Sequence, residues 1–367
     1  MKIKVFIILL NLLMGSQFIN PQTKSGKLPV IDFSKDYKNK VQNIDDIADI
    51  EYIRLETTDD VLLNDIHLLT VAYASDAYIV IYEQLRGAVF VFNRNGKIVS
   101  HFNHRGGSGR GYPMISGGLA FDEKNEEIFV CFLTTIQVYS LNGQYKRTLK
   151  VDAGQQIYIY NFDDETLLMY DRVVVNNGVI IEKYTEKYPY RLVSKKDGSI
   201  VYVFDIHLPK RISNEGWMYP FSMCYGQDFM IADISSDTMF ILTQNKEIIP
   251  LLVRKPSVHA SEEQKKVWTT VFMSDKYLFF GIFDLNSKGG GLPSLMFEFE
   301  TGETWKVKGR LPYSSPAMTH KNIAVDLMNV PGLIDAYKNK RLKGELEKLV
   351  ETLDEEDNPI VRIAKFK

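Results

Sequence analysis

One loop of this sequence, His104–Tyr112, contains residue types that could bind an anion or an acidic sugar. It reads His-Arg-Gly-Gly-Ser-Gly-Arg-Gly-Tyr. Glycine backbone amides and the guanidinium groups of Arg105 and Arg110 are donors that can converge on a carboxylate or a phosphate. We therefore take His104, Arg105, Arg110 and Tyr112 as candidate binding residues. The alternative is a connection between two sheets, in which the glycines supply positive φ angles.

The loop lacks the features of common cofactor sites. No Gly-Lys-Ser/Thr follows it, as in a P-loop, and no helical pattern follows it, as in a dinucleotide-binding fold. His101 and His104 have a metal-like spacing, but residues three apart on a strand point to opposite faces. The sequence also has no clustered Cys and His pattern and no EF-hand loop. We expect no cofactor, and the sequence leaves open only a calcium ion in a central channel.

Trp217 and Tyr219 form a second candidate site, because sugars stack on exposed aromatic rings, although tryptophan in a strand-rich chain also packs in cores. Glycoside hydrolysis needs two carboxyl groups that face each other across about 5–10 Å. The sequence offers several carboxylates and singles out no pair among Asp163, Asp164, Asp233, Asp237, Asp284 and Asp326. No Gly-x-Ser-x-Gly motif indicates a serine hydrolase. The catalytic residues of an enzyme are therefore unknown.

The elements that position these residues are short strands joined by two alternating kinds of turn. The first kind follows an aromatic-rich strand, and its five copies are Asn95-Gly96, Asn142-Gly143, Asp197-Gly198, Asn245-Lys246 and Thr301-Gly302. Asn95 and Gly96 predict a tight hairpin turn with positive φ at both residues. The second kind is polar, and its six copies are Ser75-Asp76, Glu123-Lys124-Asn125, Asp163-Asp164, Gly226-Gln227-Asp228, Ser274-Asp275 and His320-Lys321-Asn322.

These turns predict an all-β fold, a six-bladed β-propeller. Continuous apolar runs such as Tyr78–Tyr82 and Ile128–Phe132 indicate strands that are covered on both faces. Repeats of roughly 40–50 residues with about four strands each are typical of propeller blades. Since the second kind of turn occurs six times, we expect six blades. The alternative is an open β-sandwich with coincidental turn spacing.

Both ends of the chain are expected to complete the sixth blade. Residues 331–354 have leucines at helical spacing and predict a C-terminal helical insert, and Ile360–Phe366 predicts a final strand. Ile50–Glu56 is the N-terminal strand that would join the same blade. The propeller would then span residues 50–367, preceded by an extended or partly ordered arm at residues 17–49.

The first 16 residues predict a secretory signal peptide. Two lysines precede an apolar run from Val5 to Met14 and then small residues, and the run is shorter than the about 20 residues that span a membrane. No cysteine precedes Cys131, so no N-terminal lipoprotein anchor is expected. Cys131 and Cys224 lie in apolar runs and predict two buried thiols, with a disulfide as the alternative.

Two segments, Val91–Lys97 and His104–Tyr112, resemble a family of secreted Bacteroidetes six-bladed β-propellers (NHL-like propellers). Its members carry Phe-Asp-x-x-Gly-Lys and then Gly-Arg-x-Gly-x-Gly-Pro-Gly-Glu-Tyr in the first blade. This sequence departs from that pattern, with Arg110-Gly111-Tyr112-Pro113 in place of Pro-Gly-Glu-Tyr. The resemblance implies the fold and export, and it implies no established catalytic activity.

The sequence favours an extracytoplasmic binding protein, secreted or periplasmic. Propellers bind at the central funnel or on one loop face, so the partner would be a glycan, a peptide or a protein. The net charge of −2 gives no reason to expect nucleic acid, and we expect a monomer with no membrane insertion after signal cleavage. The alternatives are a hydrolase or lactonase-type enzyme with its site at the channel mouth, and a scaffold in an outer-membrane assembly.

Overall fold

The strands of the described part of the chain form six sheets and one small hairpin. The computed structural model describes residues 28–63, 66–107, 109–173, 175–176, 179–212, 222–261, 266–285, 294–308 and 321–367. Each sheet packs face to face on its two neighbours, and the buried apolar residues fill the layers between them. The predicted six-bladed β-propeller is confirmed.

The N-terminal arm lies along the outer edge of the ring. It contains β1 (Val30–Asp32) and β2 (Asn39–Val41), followed by β3 (Ala48–Arg54). β1 adds in parallel to the last strand of blade 4, and β2 adds in parallel to the last strand of blade 5. Ile31 and Phe33 are buried, so the arm also contributes to the core between the blades.

Blades 1 to 3 each contain four antiparallel strands in chain order. Blade 1 consists of β4 (Leu69–Ala74), β5 (Tyr78–Glu83), β6 (Ala88–Asn93) and β7 (Ile98–Asn103). Blade 2 consists of β8 (Leu119–Asp122), β9 (Glu127–Phe132), β10 (Thr135–Ser140) and β11 (Tyr145–Lys150). Blade 3 consists of β12 (Ile157–Asn161), β13 (Thr166–Asp171), β16 (Tyr190–Ser194) and β17 (Ile200–Val203), with a hairpin of β14 (Val175–Asn176) and β15 (Val179–Ile180) after β13.

Blades 4 and 5 each contain four antiparallel strands in chain order and, in addition, one strand of the arm. Blade 4 consists of β18 (Ser222–Tyr225), β19 (Asp228–Ile231), β20 (Thr238–Leu242) and β21 (Ile248–Lys255). Blade 5 consists of β22 (Lys266–Met273), β23 (Tyr277–Asp284), β24 (Ser294–Glu298) and β25 (Glu303–Lys308).

Blade 6 joins the two ends of the chain. In its described part, β27 (Ile360–Phe366) lies between β26 (Ile323–Met328) and β3, and it is antiparallel to both. The prediction that both termini complete this blade is therefore confirmed. The expected helical insert is two short helices, α1 (Val330–Lys338) and α2 (Gly344–Val350). The helix breaks between α1 and α2 for a local reason: the side-chain amide of Asn339 donates to the carbonyl of Asp335 at 2.8 Å, at the end of α1.

The ring has two different faces, because strand direction alternates within each blade. The turns between first and second strands and between third and fourth strands lie on one face, here called the turn face. The connections between second and third strands and between blades lie on the other, here called the crossover face. Asn322, just before β26, accepts a hydrogen bond at 2.6 Å from the amide of Asp275 in the first turn of blade 5. β26 therefore starts on the turn face, and α1 and α2 stand on the crossover face.

Hydrogen bonds on the turn face connect every blade to the next. They link blades 1 and 2 through Tyr73 and Glu123, 2 and 3 through Lys124 and Asp164, 3 and 4 through Gln244 and Phe162, 4 and 5 through Tyr225 and Asp275, 5 and 6 through Asp275 and Asn322, and 6 and 1 through Glu51 and Arg94. The buried Lys195 ammonium also donates a hydrogen bond of 2.5 Å to the Asp122 carboxylate, between blades 2 and 3. The short polar turns on this face therefore hold the ring together.

The hairpin turn at Asn95-Gly96 differs from the prediction. Only Gly96 has a positive φ, at 79°. The register between β6 and β7 shifts beside the turn, and the same shift recurs in blades 2, 3 and 4. Asn93 explains the geometry, because its side chain accepts the backbone amides of Asn95 at 2.9 Å and Lys97 at 3.1 Å. The result is a longer turn with a β-bulge instead of a two-residue turn.

No disulfide joins Cys131 and Cys224. Cys131 is fully buried, and burial raises the pKa of its thiol. Cys224 is only partly buried at the edge of the core between blades 3 and 4, so the prediction of two buried thiols holds for Cys131 alone. Packing, without a cross-link, stabilises the described ring.

Candidate binding face

The loop His104–Tyr112 belongs to the crossover from blade 1 to blade 2. Tyr112 anchors the loop, because its side chain is 1% exposed and its hydroxyl donates to the carbonyl of Gly87 at 2.8 Å. Burial raises the pKa of Tyr112, which keeps this hydroxyl a donor. The described residues of the loop therefore form a connection between two sheets, as in the alternative interpretation.

The other three predicted residues of the loop contact blade 2 or the end of the loop itself. His104 stacks on Tyr139 at a centroid distance of 4.8 Å, and its Nε2 lies 2.7 Å from the carbonyl oxygen of Gly143. Arg105 Nε donates to the carbonyl of Pro113 at 3.1 Å. The Arg110 guanidinium lies 5.4 Å from the centre of the Tyr145 ring. The structure thus brings His104, Arg105, Arg110 and Tyr112 together without directing their polar groups at a common ligand.

The glycines of this loop do not have the expected conformation. None of Gly106, Gly107, Gly109 and Gly111 is among the described residues with positive φ. A Cβ built on Gly106, Gly107 or Gly109 would meet no atom within 4 Å. The prediction that the crossover needs positive φ at several glycines is therefore wrong, because Tyr112 and the backbone bonds around it fix the path of the loop.

Trp217 and Tyr219 lie outside the described residues. The carboxylates considered for hydrolysis are spread over both faces of the ring. Asp163 and Asp164 occupy a turn on the turn face, whereas Asp233 and Asp237 lie between β19 and β20 on the crossover face. In the described ranges, no three His, Cys, Asp or Glu side chains lie close enough together to hold a metal ion.

Asp233 belongs to a buried polar cluster between blades 3 and 4. Its carboxylate accepts from the Tyr190 hydroxyl at 3.3 Å and from the amide of Ser235 at 2.8 Å. Arg211 donates to the hydroxyl of Tyr170 at 2.8 Å. Burial raises the pKa of both tyrosines. The bond from Tyr190 on β16 to Asp233 links blade 3 to the connection between β19 and β20 of blade 4.

The crossover face presents a group of exposed apolar side chains, here called the apolar rim: Leu62, Leu85, Leu133, Val179 and Tyr188. Leu62 precedes blade 1, and the other four lie between the second and third strands of blades 1, 2 and 3. The remaining exposed large hydrophobic residues of the described chain lie on the arm or on the outer strands β7 and β17. Sequence reasoning missed the rim, although a leucine in a turn between two strands was a usable signal.

Leu133 has an unusual backbone conformation for a leucine. It has a positive φ of 54° in the turn between β9 and β10, and 43% of its surface is exposed. Its amide donates to the Ser116 hydroxyl at 3.2 Å, and its carbonyl accepts from the amide of Ile157 at 3.1 Å. These bonds hold the leucine in a strained conformation in which its side chain faces solvent.

A cleft of about 530 Å³ lies where the arm, blade 6 and the helices meet. Its lining combines apolar and polar side chains from all three: Asn43, Ile44, Asp45, Tyr52, Met328, Asn329, Gly332, Leu333, Ala336, Arg341, Leu342, Leu346 and Arg362. Its volume is in the range of about 300–1,000 Å³ that is usual for ligand sites.

The fold makes this chain a six-bladed β-propeller protein, and its crossover face carries the two described helices, the β14–β15 hairpin and the apolar rim. The chain belongs to a family described as a domain of unknown function, DUF4934, whose model matches residues 28–365. The family match and the fold confirm the resemblance to a Bacteroidetes propeller family.

Two crystal structures are similar to the chain in fold. A Bacteroides fragilis protein that is named as exported has a TM-score of 0.67 at 15% identity, and the match covers 93% of this chain and 100% of that one. A member of the DUF4221 family from Bacteroides vulgatus has a TM-score of 0.51 at 9% identity, with 88% and 97% covered. No curated protein matches the chain. No helix within the described ranges has the length and apolar character needed to cross a membrane.

Proposed function

We propose that this chain is an extracytoplasmic binding protein that recognises a protein or peptide partner through the apolar rim. The crossover face supports this choice, because it carries the insertions of blades 3 and 6 together with the exposed rim side chains. The turn face, in contrast, consists of short polar turns that bond to one another. A binding surface on the loop-bearing face agrees with the way rigid folds present variable loops.

The strained leucine is the observation that carries the proposal. An unfavourable φ costs about 1–3 kcal/mol, and asparagine or glycine would reduce that cost at this position. Leu133 recovers only part of it by burial, since 43% of its surface is exposed. A partner that buries the remaining exposed surface of the side chain would recover about 1 kcal/mol from the hydrophobic effect.

The composition of the rim favours a protein or a peptide over a glycan. Four of the five rim residues are aliphatic, whereas sugars stack on aromatic rings. We place binding ahead of hydrolysis because the described carboxylates are engaged in the structure. Asp163 accepts three hydrogen bonds from Glu165 and Thr166, and Asp326 pairs with Arg362. Residues 1–16 and the similarity to an exported protein support an extracytoplasmic location.

Site-specific crosslinking tests the proposal. A photoreactive amino acid replaces Leu85 or Val179 on the rim, or Lys196 on the turn face, in cells that export the protein. The rim positions should crosslink to one shared partner, and the Lys196 position should not. The identified partner is then purified and titrated against the protein and its variants.

The decisive variant is Leu133→Asn, which removes an apolar contact and relieves the backbone strain. We expect binding to weaken at least tenfold while the melting temperature stays the same or rises. Val99→Asn is the matched control, because Val99 is similarly exposed on the outer strand β7, and it should leave binding unchanged. Unchanged affinity of Leu133→Asn would refute the assignment of the rim.

A further inference from the structure

The cleft beside α1 and α2 is a second site, separate from the rim. Its apolar walls come from Ile44 of the arm, Met328 at the end of β26, and Leu342 and Leu346 beside or within α2. Ile44 and Met328 are buried, whereas Leu342 and Leu346 are only partly buried. The leucines therefore present apolar surface to the cleft that the protein itself does not cover.

The polar end of the cleft is a row of side chains across the three described strands of blade 6. Tyr52 on β3 is paired in register with Arg362 on β27, and Arg362 is paired with Asp326 on β26. Arg362 uses Nε and Nη2 to bond Asp326 at 2.8 and 2.5 Å. Its Nη1 and the Tyr52 hydroxyl have no hydrogen-bond partner among the residues that the structure describes. These two groups are donors at the end of an apolar cavity.

The charges around this row are mostly negative. Burial raises the pKa of Tyr52, and the carboxylates of Asp45, Asp326 and Glu345 raise it further against a single opposing cation, Arg362. The tyrosine is therefore a protonated donor at neutral pH. Arg341 also lines the cleft, but it is paired with Asp335. Asp45 is exposed and lines the cleft, and the exposed Glu345 lies close enough to Tyr52 to raise its pKa. Both carboxylates would repel an anionic ligand and attract a cationic one.

We propose that the cleft binds a peptide segment in which an aliphatic side chain is flanked by a basic residue. The aliphatic side chain fills the space between Ile44, Met328 and Leu346. The peptide carbonyl next to it accepts from the Tyr52 hydroxyl and from Arg362 Nη1, and the basic residue lies near Asp45 and Glu345. The cavity of about 530 Å³ has room for a short peptide segment, and the charged groups in its lining do not suit a long acyl chain.

Short blocked peptides test this assignment by calorimetric titration. Acetyl-Lys-Leu-Lys-amide should bind at least tenfold more tightly than acetyl-Glu-Leu-Glu-amide, which reverses the charge, and than acetyl-Lys-Ser-Lys-amide, which removes the anchor. Equal affinities for the three peptides would overturn the proposal. Tighter binding of monooctanoylglycerol than of the leucine peptide would also overturn it and would make the cleft a lipid site.

Three variants locate the binding. Tyr52→Phe removes one donor and should weaken the leucine peptide about two- to tenfold. Leu346→Ser should abolish measurable binding, and Lys348→Ser, at an exposed position of the same helix that does not line the cleft, should leave it unchanged. Unchanged binding by folded Leu346→Ser and Tyr52→Phe proteins would refute the site. Leu133→Asn should not affect this peptide, so the rim and the cleft can fail independently.

Discussion

Asn358 connects the C-terminal part of the chain to its N-terminal part through three side-chain hydrogen bonds, so its replacement gives a sharp stability prediction. The side chain, 2% exposed, lies just before β27 and bonds to the N-terminal crossover that leads to blade 1. Its Oδ1 accepts from the amide of Leu63 at 2.8 Å, and its Nδ2 donates to the carbonyls of Glu56 and Val61, each at 2.8 Å. These bonds add to the backbone pairing of β27 with β3, which also joins the two ends of the chain.

The structure sets the size of the effect. Asn358→Ala removes three hydrogen bonds that each contribute about 1 kcal/mol, and it leaves the amide of Leu63 without that partner. We expect the free energy of unfolding to fall by about 3 kcal/mol, a large part of the about 5–15 kcal/mol that is usual for a folded protein. Asn358→Asp keeps the acceptor for Leu63 but turns a carboxylate oxygen toward the carbonyls of Glu56 and Val61. It should destabilise the protein at least as much as alanine does.

Urea unfolding followed by tryptophan fluorescence measures this change, and the midpoint should fall at an unchanged slope. Asn339→Ala is the control, because Asn339 also bonds through its amide but is exposed in the same region of the chain. Asn339→Ala should lower the free energy of unfolding by less than about 1 kcal/mol. A loss below about 0.5 kcal/mol for Asn358→Ala would show that this side chain does not hold the ends together.

Two further predictions concern pH and turn geometry. Burial alone would raise the pKa of Glu127, but hydrogen bonds from Arg147 and Lys146 lower it to about 2 from 4.5. The unfolded chain therefore binds this proton more tightly than the folded protein does. The stabilisation is complete above pH 4.5 and is lost as the pH falls toward 2. Glu127→Gln should accordingly lose less melting temperature than wild type between about pH 6 and pH 3, and an equal loss would contradict the role of this carboxylate. Gly143→Ala should destabilise the protein by more than about 1 kcal/mol, since Gly143 has a φ of 75° and a Cβ there would lie 2.7 Å from Phe102. Gly109→Val should stay within about 0.5 kcal/mol of wild type in the same denaturation assay, and a larger cost would mean that the crossover needs its glycine.

The blades could be predicted because their signals are local. Glycine at a turn, a polar pair before a buried strand and a continuous apolar run each act within a few residues, so the order of strands followed from the sequence. The final strand Ile360–Phe366 was predicted with its observed bounds. The conformation of the Asn95-Gly96 turn was missed because the Asn93 side chain, two residues earlier, selects a longer turn.

Other features depend on contacts that no local pattern encodes. β1 and β2 are three-residue strands whose parallel pairing with blades 4 and 5 follows from the path of the arm round the ring. The glycines of the His104–Tyr112 loop permit positive φ but do not require it, so composition alone suggested the wrong conformation. The cleft is formed by the arm, blade 6 and two helices, and its row from Tyr52 to Asp326 became visible only once the strands were paired.

We propose that the partner binds the crossover face and not the turn face. Hydrogen–deuterium exchange on the protein with and without the crosslinked and purified partner tests it most directly. We predict slower exchange of backbone amides in the loops that carry Leu85, Leu133 and Val179, and no change in the turns around Lys124 and Lys196. Protection of those turns, with the loops unchanged, would show that the partner binds the turn face instead.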